Sequence, residues 1–319
     1  MAQWALFTAV AGVLTVLLLG LARQSQQLLE SQSTADPKGL TGADRDAPPP
    51  DSASEQFDEQ PESSSVAGSD TERPKDTIDS LPEDESGKQA AVVDSESGRV
   101  SDERGLYGDV SQGPDIELTP TALFANVAVT QGLAIVVLVV SAWYFEIPAS
   151  AFGVTGDPTS TGFALGVGFG AVLWVGNELS TTVADAVGAS YDEGVREMMA
   201  PASTGGWLVL FLFVLPIIAI AEELLFRGAL IGVPAAGFGV SPWVLAVVAS
   251  VAFALGHGAQ GRVGIVVTGV LGFVLAAGYI LSGSLLVVIV AHYLINGLEF
   301  FVHEYLGVGA VFGGLAGSE

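Results

Sequence analysis

Apolar runs long enough to cross a bilayer recur along this chain, at residues 2–22, 121–145, 162–183, 207–231, 242–257, 263–281 and 284–302. About 20 such residues span the hydrocarbon core as a helix, which satisfies its own backbone hydrogen bonds where no water is present. The predicted fold class is therefore all-α: a polytopic transmembrane helical bundle of about seven spans.

Charge is segregated from these runs. Half the residues are hydrophobic and mean hydropathy is +0.53, yet the formal net charge is -24. Residues 23–119 hold 8 of the 11 Lys+Arg and 23 of the 35 Asp+Glu, on a background rich in Ser, Gly and Pro. Such a segment buries too little apolar surface to offset its ordering entropy and is expected to be a disordered acidic linker. It separates an N-terminal transmembrane anchor at 1–22 from a polytopic membrane domain at 120–306, which a Gly-rich tail at 307–319 follows. The first run lacks the basic flank and small-residue cleavage site of a secretory signal, so it reads as retained.

Several function classes fall away on composition. The acidic excess offers no basic footprint for nucleic acid. It fits a halophilic surface that holds its hydration in high salt. Cysteine is absent, which removes a disulfide framework, a thiolate nucleophile and thiolate metal ligands. Outside the linker the basic residues are Arg196, Arg227 and Arg262, too few for positive loops to set an orientation.

Against this background the stretch AIAEELLFRGAL at 219–230 is costly, because it puts Glu222, Glu223 and Arg227 inside an apolar run. Ionisable groups within a span pair with one another or face a polar cavity, and so mark function. On a helix Glu223 and Arg227 share a face four residues apart, acid first, while Glu222 points about 100° away. One carboxylate is thus held by the arginine and the other left free. Two later runs each carry a histidine with a partner one turn away: Phe253 with His257, and His292 with Asn296. Glycines at 162, 166 and 170, and Thr268, Gly272 and Ala276, form small faces suited to close helix packing. Asn177 and Glu178 read as a helix end near the interface, residues 184–206 as an interfacial amphipathic segment, and His303 as an interfacial residue without a spaced partner.

The ordered set Glu-Glu-x-x-x-Arg, Phe-x-x-x-His and His-x-x-x-Asn resembles the CPBP intramembrane proteases. That family includes the type II CAAX prenyl endopeptidases and bacteriocin-immunity (ABI-like) proteins. The likeness covers about 203–302. It implies that Glu222 and His257 activate a water, that His292 and Asn296 stabilise the oxyanion, and that Glu223, Arg227 and Phe253 support them. The implied partners are the lipid bilayer and a membrane-anchored peptide or protein substrate, with CAAX-type processing one option. The metal is open on the residues. Glu222, His257 and His292 offer a zinc set with an open position, but there is no HExxH helix, and metal-free, glutamate-activated water serves the same hydrolysis.

Two other classes compete with an endopeptidase. A non-catalytic membrane scaffold or immunity-type binding protein could use the same fold. A proton-coupled transporter would use the same residue types but calls for internal repeats, of which none is visible. One feature fits poorly. With spans drawn at 207–231 and 242–257, Glu222 and His257 both fall late in antiparallel helices, and a depth count does not bring them level.

Overall fold

The computed structural model describes residues 1–35, 119–154, 160–188 and 194–309. Their helices are α1 Trp4–Ala35, α2 Pro120–Tyr144, α3 Ser160–Ala186, α4 Gly194–Met199, α5 Thr204–Phe238, α6 Pro242–Gly256, α7 Gly261–Ser282 and α8 Leu285–Tyr305. They belong to one unit, Met1–Thr41 with Ile116–Glu319; the other unit, Gly42–Asp115, lies outside the described residues. Among the described residues no strand occurs. The bundle is all-α, as composition required.

Six helices are long and apolar enough to cross a membrane, rather than seven: α1, α2, α3, α5, α7 with its preceding turn, and α8. The exception is α6. Its 15 residues reach only about 22 Å, short of the roughly 30 Å hydrocarbon core. This correction removes the depth problem. The helix that carries Glu222 runs for 35 residues, not 25, so Glu222 sits near its middle. Gly239, at φ 67°, ends α5 in the left-handed conformation that glycine adopts without strain, and Pro242 opens α6 directly after it. Glu222 lies 16 residues before Phe238 and His257 lies 15 after Pro242. At about 1.5 Å per residue both stand about 22–24 Å from the same turn.

Helix α1 also departs from expectation. It continues to Ala35, well past the anchor boundary at residue 22, and the remainder of the expected linker lies outside the described residues. Nor is it a detached anchor. Phe7 and Ala11 are fully buried in a cluster with Leu225, Phe226, Ala229 and Phe253, and Phe7 meets Phe152 edge-on at 5.4 Å. Its first turn is tied to the end of α2 by Gln3 N–H donating to Phe145 O at 2.9 Å. Beside that bond the Met1 ammonium lies 2.8 Å from Glu146, holding this exposed carboxyl below its usual range.

The most extensive helix contact joins α3 to α8, through the glycine face anticipated from spacing. A Cβ at Gly166 would fall 2.8 Å from Val287 O, and one at Gly170 would fall 2.8 Å from Ala291 O. Both obstacles are backbone, which does not move aside as a side chain would. Gly170→Ala is therefore expected to lower stability by about 1–3 kcal/mol, the cost of overpacking a fitted interface. Because Ala291 precedes His292, the same shift displaces a site residue. Thermal unfolding in detergent checks the first effect and turnover the second; an unchanged midpoint would mean that the helices separate freely.

Candidate active site

The two adjacent acids stand where α5 changes its winding. Leu215–Glu223 is α-helical, and Leu224–Gly232 continues as a π-helix with the wider i→i+5 ladder. Such segments are frequent at functional sites because they re-aim side chains without ending the helix. Here Glu223 and Arg227 face inward at 0% and 1% exposure. Arg227 Nη1 donates to Glu223 Oε1 at 2.9 Å and its Nη2 donates to Gly272 O at 2.8 Å. Its guanidinium carbon lies 4.9 Å from the centroid of the Phe253 ring, on which it stacks. A buried cation thus has an anion, a carbonyl and an aromatic face, three kinds of partner that offset its desolvation.

Glu223 does more than hold the arginine. The same Oε1 accepts from His292 Nδ1 at 2.6 Å, across 69 residues of sequence. This contact orients the buried imidazole and directs its Nε2 at Glu222, 3.6 Å from Oε2. No protein donor reaches that Glu222 oxygen. The division foreseen between a held acid and a free one is therefore present, and the held acid also positions His292.

His257 follows the last residue of α6, half-buried. Its Nδ1 lies 2.8 Å from Phe253 O, and a carbonyl only accepts, so Nδ1 carries the proton and Nε2 is left as the acceptor. Phe253 is the hub of the cluster. Its ring lies 4.5 Å from that of His257, 6.1 Å from that of His292 and 5.1 Å from that of Phe226. Gly272 on α7 makes room for it, since a Cβ there would come within 2.9 Å of the ring. Asn296 stands one turn past His292 on α8 and lines the same cavity.

That cavity, about 420 Å³, is lined by Glu222, His257, His292 and Asn296, and also by Asn177, Arg196 and Glu299. A second cavity of about 260 Å³ opens on the α1 side, between Thr15, Leu18, Ala22, Asn126 and Thr130. Glu222, Phe253, Gly256, His257 and Gln131 line both. The free carboxylate and the half-buried imidazole therefore stand where the two spaces meet.

Over residues 204–298 the chain matches the family model for type II CAAX prenyl endopeptidases, Rce1-like. The chain carries an Rce1-like domain. No curated protein and no solved structure matches the chain. The Rce1-like domain runs from the start of α5 into α8 and contains Glu222, Glu223, Arg227, Phe253, His257, His292 and Asn296. With six helices long and apolar enough to span a bilayer, this is a multi-pass membrane protein.

One reading from spacing needs revision. Among the described residues, Glu178, Glu299 and His303 bring one ligand atom each within 4.8 Å of one another. His303 is not without partners, and Glu178, expected at a helix end near the interface, is buried. His303 Nε2 lies 2.7 Å from Glu178 Oε1, and Glu178 is 3% exposed. Spacing along one helix could not show this pair, because its members lie 125 residues apart. The amphipathic segment expected at 184–206 reduces to the six-residue α4, with residues 189–193 outside the described set. From α4, Arg196 reaches Glu299 and Glu304, each at 2.9 Å.

Proposed function

We propose that the protein is an intramembrane endopeptidase that hydrolyses a peptide bond of a membrane-associated substrate with water activated by Glu222 and His257. The observation that carries this reading is the split of the carboxylates: Glu223 is fully buried and bound through Oε1 by Arg227 and His292, while Glu222 lines both cavities. A carboxylate on a cavity wall, with imidazoles nearby, suits a general base.

The chemistry follows from these positions. Glu222 takes a proton from water as its oxygen attacks the scissile carbonyl carbon. The electron pair of the C=O bond moves to oxygen, and the resulting oxyanion accepts hydrogen bonds from the Asn296 amide and the Nε2–H of His292 in its imidazolium form. Glu223 Oε1 holds the opposite ring nitrogen, Nδ1, at 2.6 Å and so aims Nε2. Collapse of the intermediate breaks the C–N bond, and the proton held by Glu222 passes, with His257 Nε2 as relay, to the leaving amine. Donors aimed at the developing charge contribute most where water is excluded.

The test is cleavage of a membrane-anchored peptide by purified protein in lipid vesicles. His257→Ala and His292→Ala are each expected to abolish most turnover, and wild-type rates in both would end the proposal. Asn296→Ala keeps the base and removes one oxyanion donor. Its turnover is expected to fall by about 100- to 1,000-fold, with KM little changed. Peptides with and without a lipidated residue, compared in the same assay, report whether processing is of the CAAX type.

A further inference from the structure

One face of α8 carries polar residues beyond those used above. His292, Asn296, Glu299 and His303 follow at intervals of four, three and four, and so lie on one side of the helix. The first two border the catalytic carboxylate. The last two meet Glu178 of α3, and we infer that Glu178, Glu299 and His303 form a binding site for one divalent transition-metal ion, separate from the catalytic centre.

The first support is ligand geometry. His303 Nε2 lies 2.7 Å from Glu178 Oε1 and 3.7 Å from Glu299 Oε2. Those distances bracket the separation of about 3.3–3.6 Å between ligand atoms in a tetrahedral zinc shell with metal bonds of about 2.0–2.2 Å. One imidazole nitrogen with two carboxylates is a donor set that zinc, cobalt and manganese accept.

The second support is proton bookkeeping. His303 Nδ1 lies 2.9 Å from Val308 O, a carbonyl that only accepts, so this nitrogen carries the proton. In the neutral ring Nε2 then presents a lone pair to two carboxylates, acceptor against acceptor. A proton on Nε2 or a metal cation among these atoms removes that conflict. A hydrogen bond from the remote ring nitrogen to a backbone carbonyl is also how metal-binding histidines are oriented. Glu299 is oriented in the same way, with Asn177 Nδ2 donating to its Oε1 at 2.8 Å and Arg196 Nη1 donating to its Oε2 at 2.9 Å.

Among the side chains named here, charge favours a cation beside His303. The cluster holds three carboxylates, Glu178, Glu299 and Glu304, and one guanidinium, Arg196, which bridges Glu299 and Glu304. With His303 neutral its net charge is minus two. These side chains are only 4–15% exposed, and buried charge is costly unless neutralised. One proton on His303 leaves a charge of minus one; one dication brings the cluster to zero. The ion would fasten α3 to the end of α8, in the wall of the cavity that Asn296 also lines. Chelator sensitivity of this protein would then report on a bracing site, not on the water-activating carboxylate.

The test needs no substrate and so stands apart from the protease reading. Full-length protein in detergent, stripped of metal, is titrated with Co²⁺ alone, and binding is read from the visible d–d bands. One equivalent is expected to bind and to be displaced by Zn²⁺. His303→Gln and Glu178→Gln are expected to weaken binding by about 100-fold or more, while Glu222→Gln and His257→Ala leave it intact. Circular dichroism and the metal-free unfolding midpoint establish that the variants are folded. Should either variant misfold, X-ray absorption on zinc-loaded wild type decides, with one imidazole ligand expected. No cobalt binding by wild type, binding undiminished in both cluster variants, loss in Glu222→Gln, or two imidazoles on zinc would each overturn the inference.

Discussion

Replacing Glu222 by glutamine is expected to lower kcat by about 100- to 10,000-fold, the range that a positioned general base contributes, while KM for the anchored peptide changes little. The amide keeps the shape of the carboxylate and cannot take the proton of water. The same substitution is expected to leave the unfolding midpoint unchanged or to raise it. In the wild type Glu222 sits beside buried Glu223, its side chain is 14% exposed, and its Oε2 meets no protein donor. Removing that charge relieves both desolvation and repulsion between the two acids. Activity lost with stability kept or gained is the signature of a strained functional group. A structural acid would give the reverse: turnover near wild type with a lowered midpoint. Since Glu222 and His257 act on one proton path, the double variant Glu222→Gln/His257→Ala should be little slower than the worse single one. Losses that multiply would place the two residues in independent roles.

How far these residues could be read from sequence depends on which contacts are local. The Glu223–Arg227 pair, the Phe253–His257 pair and the glycine face of α3 each lie within one helix, so a spacing of four showed them. The link from Glu223 to His292 spans 69 residues, and that from His303 to Glu178 spans 125; no periodicity carries such information. Spacing therefore paired Glu223 with arginine only, and left His303 without a partner. The span count failed for a different reason. Hydropathy alone does not give length, and the 15-residue α6 is apolar but for Ser250, with one face exposed at Val244, Val248, Val251 and Leu255 as a full span would have. Nor does it detect the π segment after Glu223, which keeps α5 continuous to Phe238 and puts Glu222 near its middle. Polar residues of α2 such as Asn126, Thr130 and Gln131 also border the cavities. In sequence they are isolated in an apolar run, without the spaced partners that drew attention to the histidines.

The largest loss of stability is expected from Arg227→Met. Its side chain is 2% exposed, and that of the carboxylate it holds is 0% exposed. Removing the guanidinium leaves buried Glu223 with His292 alone as its side-chain partner, and breaking such a buried pair costs about 3–5 kcal/mol. The Gly272 carbonyl and the Phe253 ring lose their partner as well. Thermal or denaturant unfolding in detergent measures this, and a change below about 1 kcal/mol would show that the pair contributes little. The double variant Glu223→Gln/Arg227→Met separates structure from chemistry. With both charges gone, neutral groups of similar volume are expected to recover most of the stability, since a buried ion pair often roughly matches its apolar replacement. Turnover should stay low. The amide introduced by Glu223→Gln would still accept a hydrogen bond from His292 Nδ1–H, but a neutral acceptor holds the ring less firmly than a carboxylate, so Nε2 would be less well aimed at the oxyanion. Recovery of both stability and turnover would mean that the buried charges serve only to hold α5 against α7 and α8. Recovery of stability alone assigns Glu223 to the positioning of His292.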